Sequence, residues 1–568
     1  MAIAAELRAD WLPARLEQVY QRDRFTVYLG LRTVERRGWL LLSWHPQAAR
    51  MCISASPPRH PDTFTFSQQI RHQVGNLALV DIVAIAPWER VLDLQFARRP
   101  GDPILWHLYV EIMGKYSNVI LTNQADQIVT AAHQVSAQQS SVRPIQTGQP
   151  YEVPPLLTTA VPNRAETLER WRERVSLVPG SLSKNLGKTY RGVSSAIAHT
   201  LIRAAGLDPQ QSTEHLPDGD WTALFTQWQQ WLDTLAKERF QPGWLAQGYT
   251  VLGGEMVAPA DSVQALIDRY YTDQLNQLIF AQLRHQLTQK VGAALSRLRT
   301  KAAGFRDRLR QSDQADTYRQ HADLLMAHLQ DWQPGLTAMT LADFATGDPV
   351  TISLEPEKNA VQNAQALYKR HQKLKRAQGA IAPLLAEVEA EIAYLEQVEA
   401  ALAELTTYQT AIDLEALQEI QEELQQQQYL DKPDYGGAAQ RSATDSHPYR
   451  YQTPSGCEVL VGRNNRQNDQ LTFRTATDYD LWFHSQEIPG SHVLLRLEPG
   501  AQPDAADLEY VANLAAFHSR ARQSEQVPVV YTQPKHVYKP KGAKPGMVVY
   551  KHEQVLWGKP QAIARQMS

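Results

Sequence analysis

Cysteine is nearly absent. Cys52 and Cys457 are the only two in 568 residues, which excludes a disulfide framework and any metal site built on several cysteines. Long apolar runs are missing as well. No stretch of about 18 apolar residues occurs, so no membrane span is expected. The first residues, MAIAAELRADWLPARLEQVYQRDR, carry charges throughout and lack the apolar core of a secretory signal. A cytoplasmic protein with no membrane partner is expected. Motifs for independent catalysis are also absent: the chain has no P-loop, no GxSxG and no HExxH. It therefore reads as a non-enzyme with no cofactor and no metal. A net charge of only -3 excludes a protein that is basic overall.

One local absence says more. From Gln526 to Lys551 there is no Asp or Glu, while Lys535, Lys539, Lys541, Lys544 and Lys551 fall in that run with Tyr531, Tyr538 and Tyr550 between them. Phosphate backbones attract such patches by counterion release, and aromatic faces can stack on bases. A solvated lysine surface fits the same residues equally well.

The hydrophobic fraction of 43% supports real cores, and 21% charged residues is ordinary for a soluble chain. The length argues for roughly three or four domains. Residues 1–150 alternate apolar and polar positions, and TVYLGLRT, RGWLLLSWH, RVLDLQFARR, HLYVEIMG and NVILTN read as strands. FTFSQQIRHQVGNLALV reads as a short helix ending near Gly75. This is an α+β domain, followed by a proline-rich linker over 150–165. Residues 166–255 read as helical. There GKTYRGVSSAIAHTLIRAAGLDP suggests two short helices around an Arg191-Gly192-Val193 turn, the form of a helix-hairpin-helix unit, although a generic helical bundle fits too.

Residues 262–430 form a long antiparallel coiled-coil arm with a middle tip at about 334–376. The first helical pattern runs to about 332, a hairpin turns at Thr346-Gly347-Asp348, and a second helical stretch runs from Asn359 to about Tyr429. Ile381, Leu385, Val388, Ile392, Leu395, Leu402 and Leu405 give the seam. Each arm would span on the order of 80–100 Å. Arg297, Arg299, Lys301, Arg306, Arg308 and Arg310, opposed locally by Asp307 alone, form one basic cluster. Lys369, Arg370, Lys373, Lys375 and Arg376 form another near the tip. A solvated coiled-coil face usually mixes signs, so these clusters favour nucleic-acid contact. After a linker at 431–448, residues 449–562 form a last α+β domain with one helix around Ala506–Gln523.

Within that domain, VGRNNRQNDQLTFRTATDYDLWFHSQEIPGSHVLLR concentrates polar and aromatic residues between glycine turns. His484 and His492 with Asp480 or Asp469 lack a known ligand spacing, so hydrogen-bonded or RNA-contacting histidines are the favoured reading. Trp482 and Phe483 alternate along a strand, so one fills the core and the other is free to stack. Asn464, Asn465, Asn468 and Asp469 read first as turn formers. In the first domain Glu89-Arg90 opens a strand, where Arg90 could grip a phosphate with Glu89 orienting it. Glu111, Lys115, Ser117 and Asn118 cluster around Gly114.

FSQQIRHQV, APWERVLDLQF, YVEIMGKYSNVILTN, GVSSAIAHTLIRAAGL, NAVQNAQALYKRHQKLK, VGRNNRQNDQLTF, DLWFHSQEIPGSHVLLR and VPVVYTQPKHVYKPKGAKPGMVVY together resemble the NFACT family, in family order and over nearly the whole chain. The resemblance implies a glycosylase-like N-terminal NFACT-N domain, a helix-hairpin-helix domain, the coiled-coil arm and a C-terminal NFACT-R RNA-binding domain. It implies a role in ribosome-associated quality control and rescue of stalled ribosomes. The partners would be a large ribosomal subunit obstructed by peptidyl-tRNA, a recruited tRNA (alanyl-tRNA above all) and a small S4-type RNA-binding protein. The outcome would be template-free C-terminal alanine tailing, with the ribosome making the peptide bond. Site residues implied for tRNA are Glu89, Arg90, Lys115 and Asn118. For rRNA they are Arg463, Trp482, His484, His492, Lys535, Lys539, Lys541, Lys544, Lys369, Arg370 and Lys373.

The chain departs from the family in places. Glu89-Arg90 replaces the usual Asp-Arg, moving the carboxylate by about one bond length. Lys115 replaces an Arg common in relatives, losing the bidentate fork. The chain begins Met1-Ala2, without the N-terminal proline amine of the glycosylases and without the family's early Asp. Alternative readings are a surface fibronectin-binding adhesin, a nucleic-acid-processing enzyme, or a nucleic-acid-binding protein with no ribosomal role.

Overall fold

Strand-forming residues crowd the first 131 positions, and they build one sheet. The computed structural model describes all residues except 58–60, 87, 141–142, 156–159, 255, 432–446 and 568. By contact density the chain divides into two compact units, Met1–Asn276 and the described residues from Gln277 onward.

In the first unit, α1 (Ala2–Trp11) is followed by β1 (Ala14–Asp23), β2 (Thr26–Arg32), β3 (Arg37–Ser43) and β4 (Arg50–Ser54). Then come α2 (Thr65–Val74), β5 (Ala78–Ala84), β6 (Val91–Ala97), β7 (Trp106–Glu111), β8 (Asn118–Asn123) and β9 (Ile128–Ala131). The sheet order is β4-β3-β2-β1-β5-β6-β7-β8-β9 and the paired strands are antiparallel. Leu7 and Trp11 of α1 and Phe66, Ile70 and Val74 of α2 cover one face, packing on Leu16, Leu29, Leu94 and Leu108. The five strands and the helix read from the sequence are present, the helix ending at Gly75 as expected. The strands that sequence reading missed, β1, β4, β5 and β9, include β1 with its EQVYQRD polar stretch.

The helical segment holds α3 (Leu168–Ser176), α4 (Leu182–Thr189), α5 (Ser195–Ala204) and α6 (Asp218–Ala236) around Trp171, Trp221, Trp228 and Trp231. Between α4 and α5 the chain turns at Gly192, whose φ of +77° L side chains rarely adopt. β10 (Gly243–Trp244), β11 (Tyr249–Thr250) and β12 (Ala258–Pro259) form a small sheet. The start of α7 (Val263–Ser312) packs Val263 and Ile267 on Tyr28, Leu41 and Cys52.

In the second unit, α7 from Gln277 pairs with α9 (Ala360–Glu404). Phe280, Leu283, Leu287, Val291 and Leu295 meet Tyr394, Leu395, Val398 and Leu402, together with Leu414, Leu417, Ile420 and Leu424 of α10 (Ala411–Gln426). The ion pairs Arg299–Glu396 at 2.7 Å and Arg306–Glu389 at 2.6 Å set the direction. As one index rises the other falls by the same amount, which is antiparallel pairing. Two expectations need correction. The first helical pattern breaks at Asp313-Gln314 before α8 (Ala315–Ala327), and the second breaks between Glu404 and Ala411. At 1.5 Å per residue α7 is therefore about 75 Å long, short of the expected span. The tip hairpin, β13 (Ala338–Ala342) with β14 (Pro349–Ser353), packs Met339, Leu341 and Ile352 on Leu324 and Leu325 of α8 and Ala364 of α9.

The last domain contains β15 (Tyr449–Gln452), β16 (Glu458–Val461), α11 (Asn465–Gln470) with a π-helical turn at Leu471–Thr475, β17 (Leu481–Ser485) and β18 (Val493–Leu495). α12 (Ala505–Phe517), β19 (Val527–Thr532), β20 (Val537–Tyr538), β21 (Val549–Tyr550), β22 (Gln554–Gly558) and α13 (Pro560–Met567) follow. The sheet order is β15-β16-β18-β17-β19-β22, and α12 packs on the face that carries Phe483, Val529 and Val527.

A Cβ on Gly192 would lie 2.9 Å from Cε3 of Trp88, on top of the strained φ. Gly192→Ala is therefore expected to destabilise the protein by about 2–4 kcal/mol, combining left-handed strain with overpacking. Chemical denaturation would show it. An unchanged transition would mean that the turn and Trp88 do not hold each other.

Candidate nucleic-acid interface

In the first unit the candidate residues gather at one end of the sheet. Val91 of β6 pairs with Glu111 of β7, and the Ile112 N–H donates to the Arg90 carbonyl at 3.0 Å. That register puts Arg90 beside the β7–β8 turn, where Gly114 takes φ +59°. Lys115 projects from this turn over Tyr116, its Nζ 4.9 Å from the ring centroid, and Tyr116 is 72% exposed. Arg90 and Lys115 are both exposed and form no ion pair among the described residues.

Beneath them the polar groups are committed to the fold. Glu111 is buried, takes two hydrogen bonds from Arg143 at 3.0 and 2.5 Å, and accepts the Tyr151 hydroxyl at 2.8 Å. Burial, then the Glu111 charge, pushes the Tyr151 hydroxyl well above the usual tyrosine range. Asn118 is buried too. Its Nδ2 donates to the His133 carbonyl at 2.7 Å, and its Oδ1 accepts the Val119 and His133 N–H groups, each at 2.9 Å. Asn118 therefore has no surface to offer tRNA; it ties the start of β8 to the chain that leaves β9.

Glu89 does not orient Arg90. It pairs with Arg191 of the Gly192 turn at 3.3 Å, both side chains largely buried, while Trp88 packs on Trp231 at 5.3 Å. Sequence reading placed Arg191 in the turn without assigning it a role. Its partner lies about 100 residues away, and local pattern gives no signal for such a pair.

In the second unit the Asn-rich motif turns inward. Arg463 bonds Asp413 at 2.9 Å, Asn464 bonds Glu419 at 2.5 Å, Asn465 bonds Glu423 at 3.0 Å, Arg466 bonds Glu422 at 2.8 Å and Gln467 bonds Glu419 at 2.8 Å. All of these carboxylates lie on α10. Arg463 also lies over Tyr449, 3.9 Å from its ring centroid. The motif thus fastens its domain to α10 instead of facing solvent.

Trp482 and Phe483 are both fully buried, so neither is free to stack. Trp482 sits 5.7 Å from His484 and 5.1 Å from His492, and its Nε1 donates to Thr472 Oγ1 at 3.1 Å. Burial lowers the His484 pKa to about 4 and holds His492 well below the ordinary histidine range, so both are neutral core groups. Asp480 accepts the Thr477 and Leu497 N–H groups at 2.8 and 3.0 Å, as a turn former does. No group of three or more His, Cys, Asp or Glu among the described residues could hold a metal ion.

The lysine run divides in two. Lys539 pairs with Asp469, while Lys544 meets Glu391 at 3.7 Å and lies over Tyr394 and Tyr429, 4.8 and 4.5 Å from their centroids. Lys535, Lys541 and Lys551 are exposed and form no ion pair among the described residues. The arm shows the same split. Arg299 and Arg306 are neutralised by Glu396 and Glu389, and Arg310 by Asp307, so the first basic cluster is not of one sign in space. Lys369, Arg370 and Lys373 stay exposed near the tip, Arg370 over the Tyr318 ring at 4.5 Å.

Two family descriptions cover this arrangement: residues 1–443 match the NFACT N-terminal and middle domains, and residues 447–552 match the NFACT protein RNA binding domain. The chain belongs to the NFACT family. It is 29% identical over 572 residues to a Bacillus subtilis (strain 168) protein named Rqc2 homolog RqcH, covering 98% of this chain and 96% of that protein. The protein of the same name from Streptococcus suis (strain 05ZYH33) is 30% identical over 569 residues, with the same coverage. Among solved structures, the C-terminal part of the fibronectin/fibrinogen-binding protein from Streptococcus suis is 31% identical, covering 50% of this chain and 95% of that one at a TM-score of 0.38. No helix among the described residues is long and apolar enough to cross a membrane.

This NFACT chain thus carries its RNA-binding domain on a dock whose centre is Glu423. That carboxyl is almost wholly buried, accepts the Tyr394 hydroxyl at 2.8 Å and the Asn465 amide, and leaves Oε2 without a partner. Burial raises its pKa from 4.5 to about 7. A carboxyl raised on folding adds stability that is complete below the unfolded pKa and is lost as pH rises through the folded one. Thermal stability is therefore expected to fall between about pH 4.5 and pH 7 and to level off above that, and Glu423→Gln should flatten that slope. Melting curves of both proteins across this range give the check; parallel slopes would contradict the assignment.

Proposed function

We propose that this protein is a ribosome-associated quality control factor. It binds large ribosomal subunits obstructed by peptidyl-tRNA, recruits tRNA (alanyl-tRNA first) and directs template-free alanine tailing of the stalled chain. A small S4-type RNA-binding protein assists it. Peptide bond formation is left to the ribosome, and the protein acts as a non-catalytic, cytoplasmic scaffold. The observation that carries the reading is that an RNA-binding domain match and end-to-end similarity to proteins named RqcH coincide with segregated exposed cations on a chain of net charge -3.

The division of labour follows from which cations are left exposed. Arg90 and Lys115 lie at one sheet end and would take the recruited tRNA. Lys369, Arg370 and Lys373 near the tip, and Lys535, Lys541 and Lys551 in the last domain, would take rRNA. Glu89 acts indirectly, by holding Arg191 at 3.3 Å against the sheet end.

Two results are expected. Sedimentation with large subunits should be lost as salt rises, with a log–log slope of about -0.9 for each duplex phosphate neutralised. Arg90→Ala should reduce co-purified tRNA by about tenfold, the loss of one charge-assisted contact, while subunit sedimentation is kept. Joint loss of tRNA and subunit binding would contradict a tRNA-specific role for Arg90. Salt-independent sedimentation would contradict phosphate recognition.

A further inference from the structure

Strand β22 is an outer strand of the C-terminal sheet, and it carries an exposed tryptophan. Trp557 is 60% exposed and Val555 47%, whereas Trp482, the other tryptophan of this domain, is buried. Residues two apart on a strand share a face. The register fixes which face this is, since Val530 lies opposite both His484 and Val555, and Pro528 lies opposite Trp557. Trp482, His484 and Val530 thus share the face of Val555 and Trp557, whereas Phe483 and Val529 point toward α12.

Part of this face has a lid. Val537, Val548 and Tyr550, from β20, β21 and the segment between them, pack on Trp482 and Val530. The lid is the lysine segment itself. The Lys551 N–H donates to the His536 carbonyl at 3.1 Å, Thr532 Oγ1 donates to the Lys551 carbonyl at 3.0 Å, and Lys551 Nζ lies 5.8 Å from the Tyr538 ring centroid. Tyr538 is 48% exposed. The lid ends short of Val555 and Trp557, leaving an apolar strip uncovered on the same sheet face that carries the lysine-bearing lid. Glu553 and Glu487 both act on Tyr550, and Glu509 pairs with Lys559, two residues after Trp557, at 3.7 Å.

A large exposed aromatic at a sheet edge calls for an occupant. Lysines carried on the same face of the sheet select a polyanion, and flat rings with room above them select unpaired bases, since bases in a duplex have no free face. We propose that Trp557, with Tyr538, stacks the bases of an unpaired RNA stretch whose phosphates are taken by Lys535, Lys541 and Lys551. This rests on the RNA-binding reading above and names the form of RNA that the last domain holds. β22 lies beyond the residues matching the RNA binding domain.

The test uses the full-length protein, a short fluorescein-labelled oligouridylate and a duplex RNA of equal length, read by anisotropy. Trp557→Ala should weaken oligouridylate binding about tenfold, within the range for one lost base stack, and Trp557→Phe should restore most of it. The salt slope should not move in either variant. The Lys535→Ala/Lys551→Ala double variant should instead reduce that slope by about 1.4. Wild-type affinity in Trp557→Ala would overturn the proposal and leave β22 as an edge for a protein strand. An equal loss on duplex and single strand would overturn it too. Subunit sedimentation of the wild-type protein is scored separately, so the quality-control reading can fail while the stacking surface stands.

Discussion

The C-terminal half depends on burying carboxylates of one helix against amides and guanidinium groups of one loop. α10 presents Asp413, Glu419, Glu422 and Glu423, and the Arg463–Gln467 segment answers each of them. Removing such groups from water is costly unless every lone pair is met, and here most are. Arg463 Nε and Oε2 of Glu423 are exceptions, and the second makes the dock sensitive to the protonation of one carboxyl. Further polar ties hold the same domain to α9: Gly490 N–H to Gln397 at 2.9 Å, His518 to Glu404 at 2.9 Å and Arg520 to Glu399 at 3.1 Å. The lysine segment therefore leaves its domain from a fixed base.

The same logic sorts the cations. A cation facing an acidic helix is spent on structure, and one facing water remains available to phosphate. Lys539 and Lys544 belong to the first kind, and Lys535, Lys541 and Lys551 to the second. On the arm, antiparallel pairing sets Glu389 and Glu396 against Arg306 and Arg299, while Arg297, Lys301 and Arg308 stay exposed with the tip cluster. In the first unit Glu89 neutralises Arg191 and leaves Arg90 exposed. Exposed surface ion pairs contribute little to stability, so these arm and tip charges add little to folding.

Sequence pattern alone determined the class of each region. Alternation gave β2, β3, β6, β7 and β8, because strands with a buried face impose a period of two whatever they pack against. The three- and four-residue spacing gave a helical arm, and Gly192 gave the turn between α4 and α5, because no other residue accepts that φ cheaply. The acid-free lysine run pointed to a binding protein. Only the tertiary structure decided which polar residues face outward. Asn118, Arg463, Trp482, His484 and His492 look in sequence like surface chemistry, yet their partners lie on distant elements that bury them. Trp557 looks like one more strand residue, yet the lid stops short of it. Burial and pairing are properties of contacts between segments far apart in the chain, and a linear pattern carries the period of a strand but not the identity of what covers it.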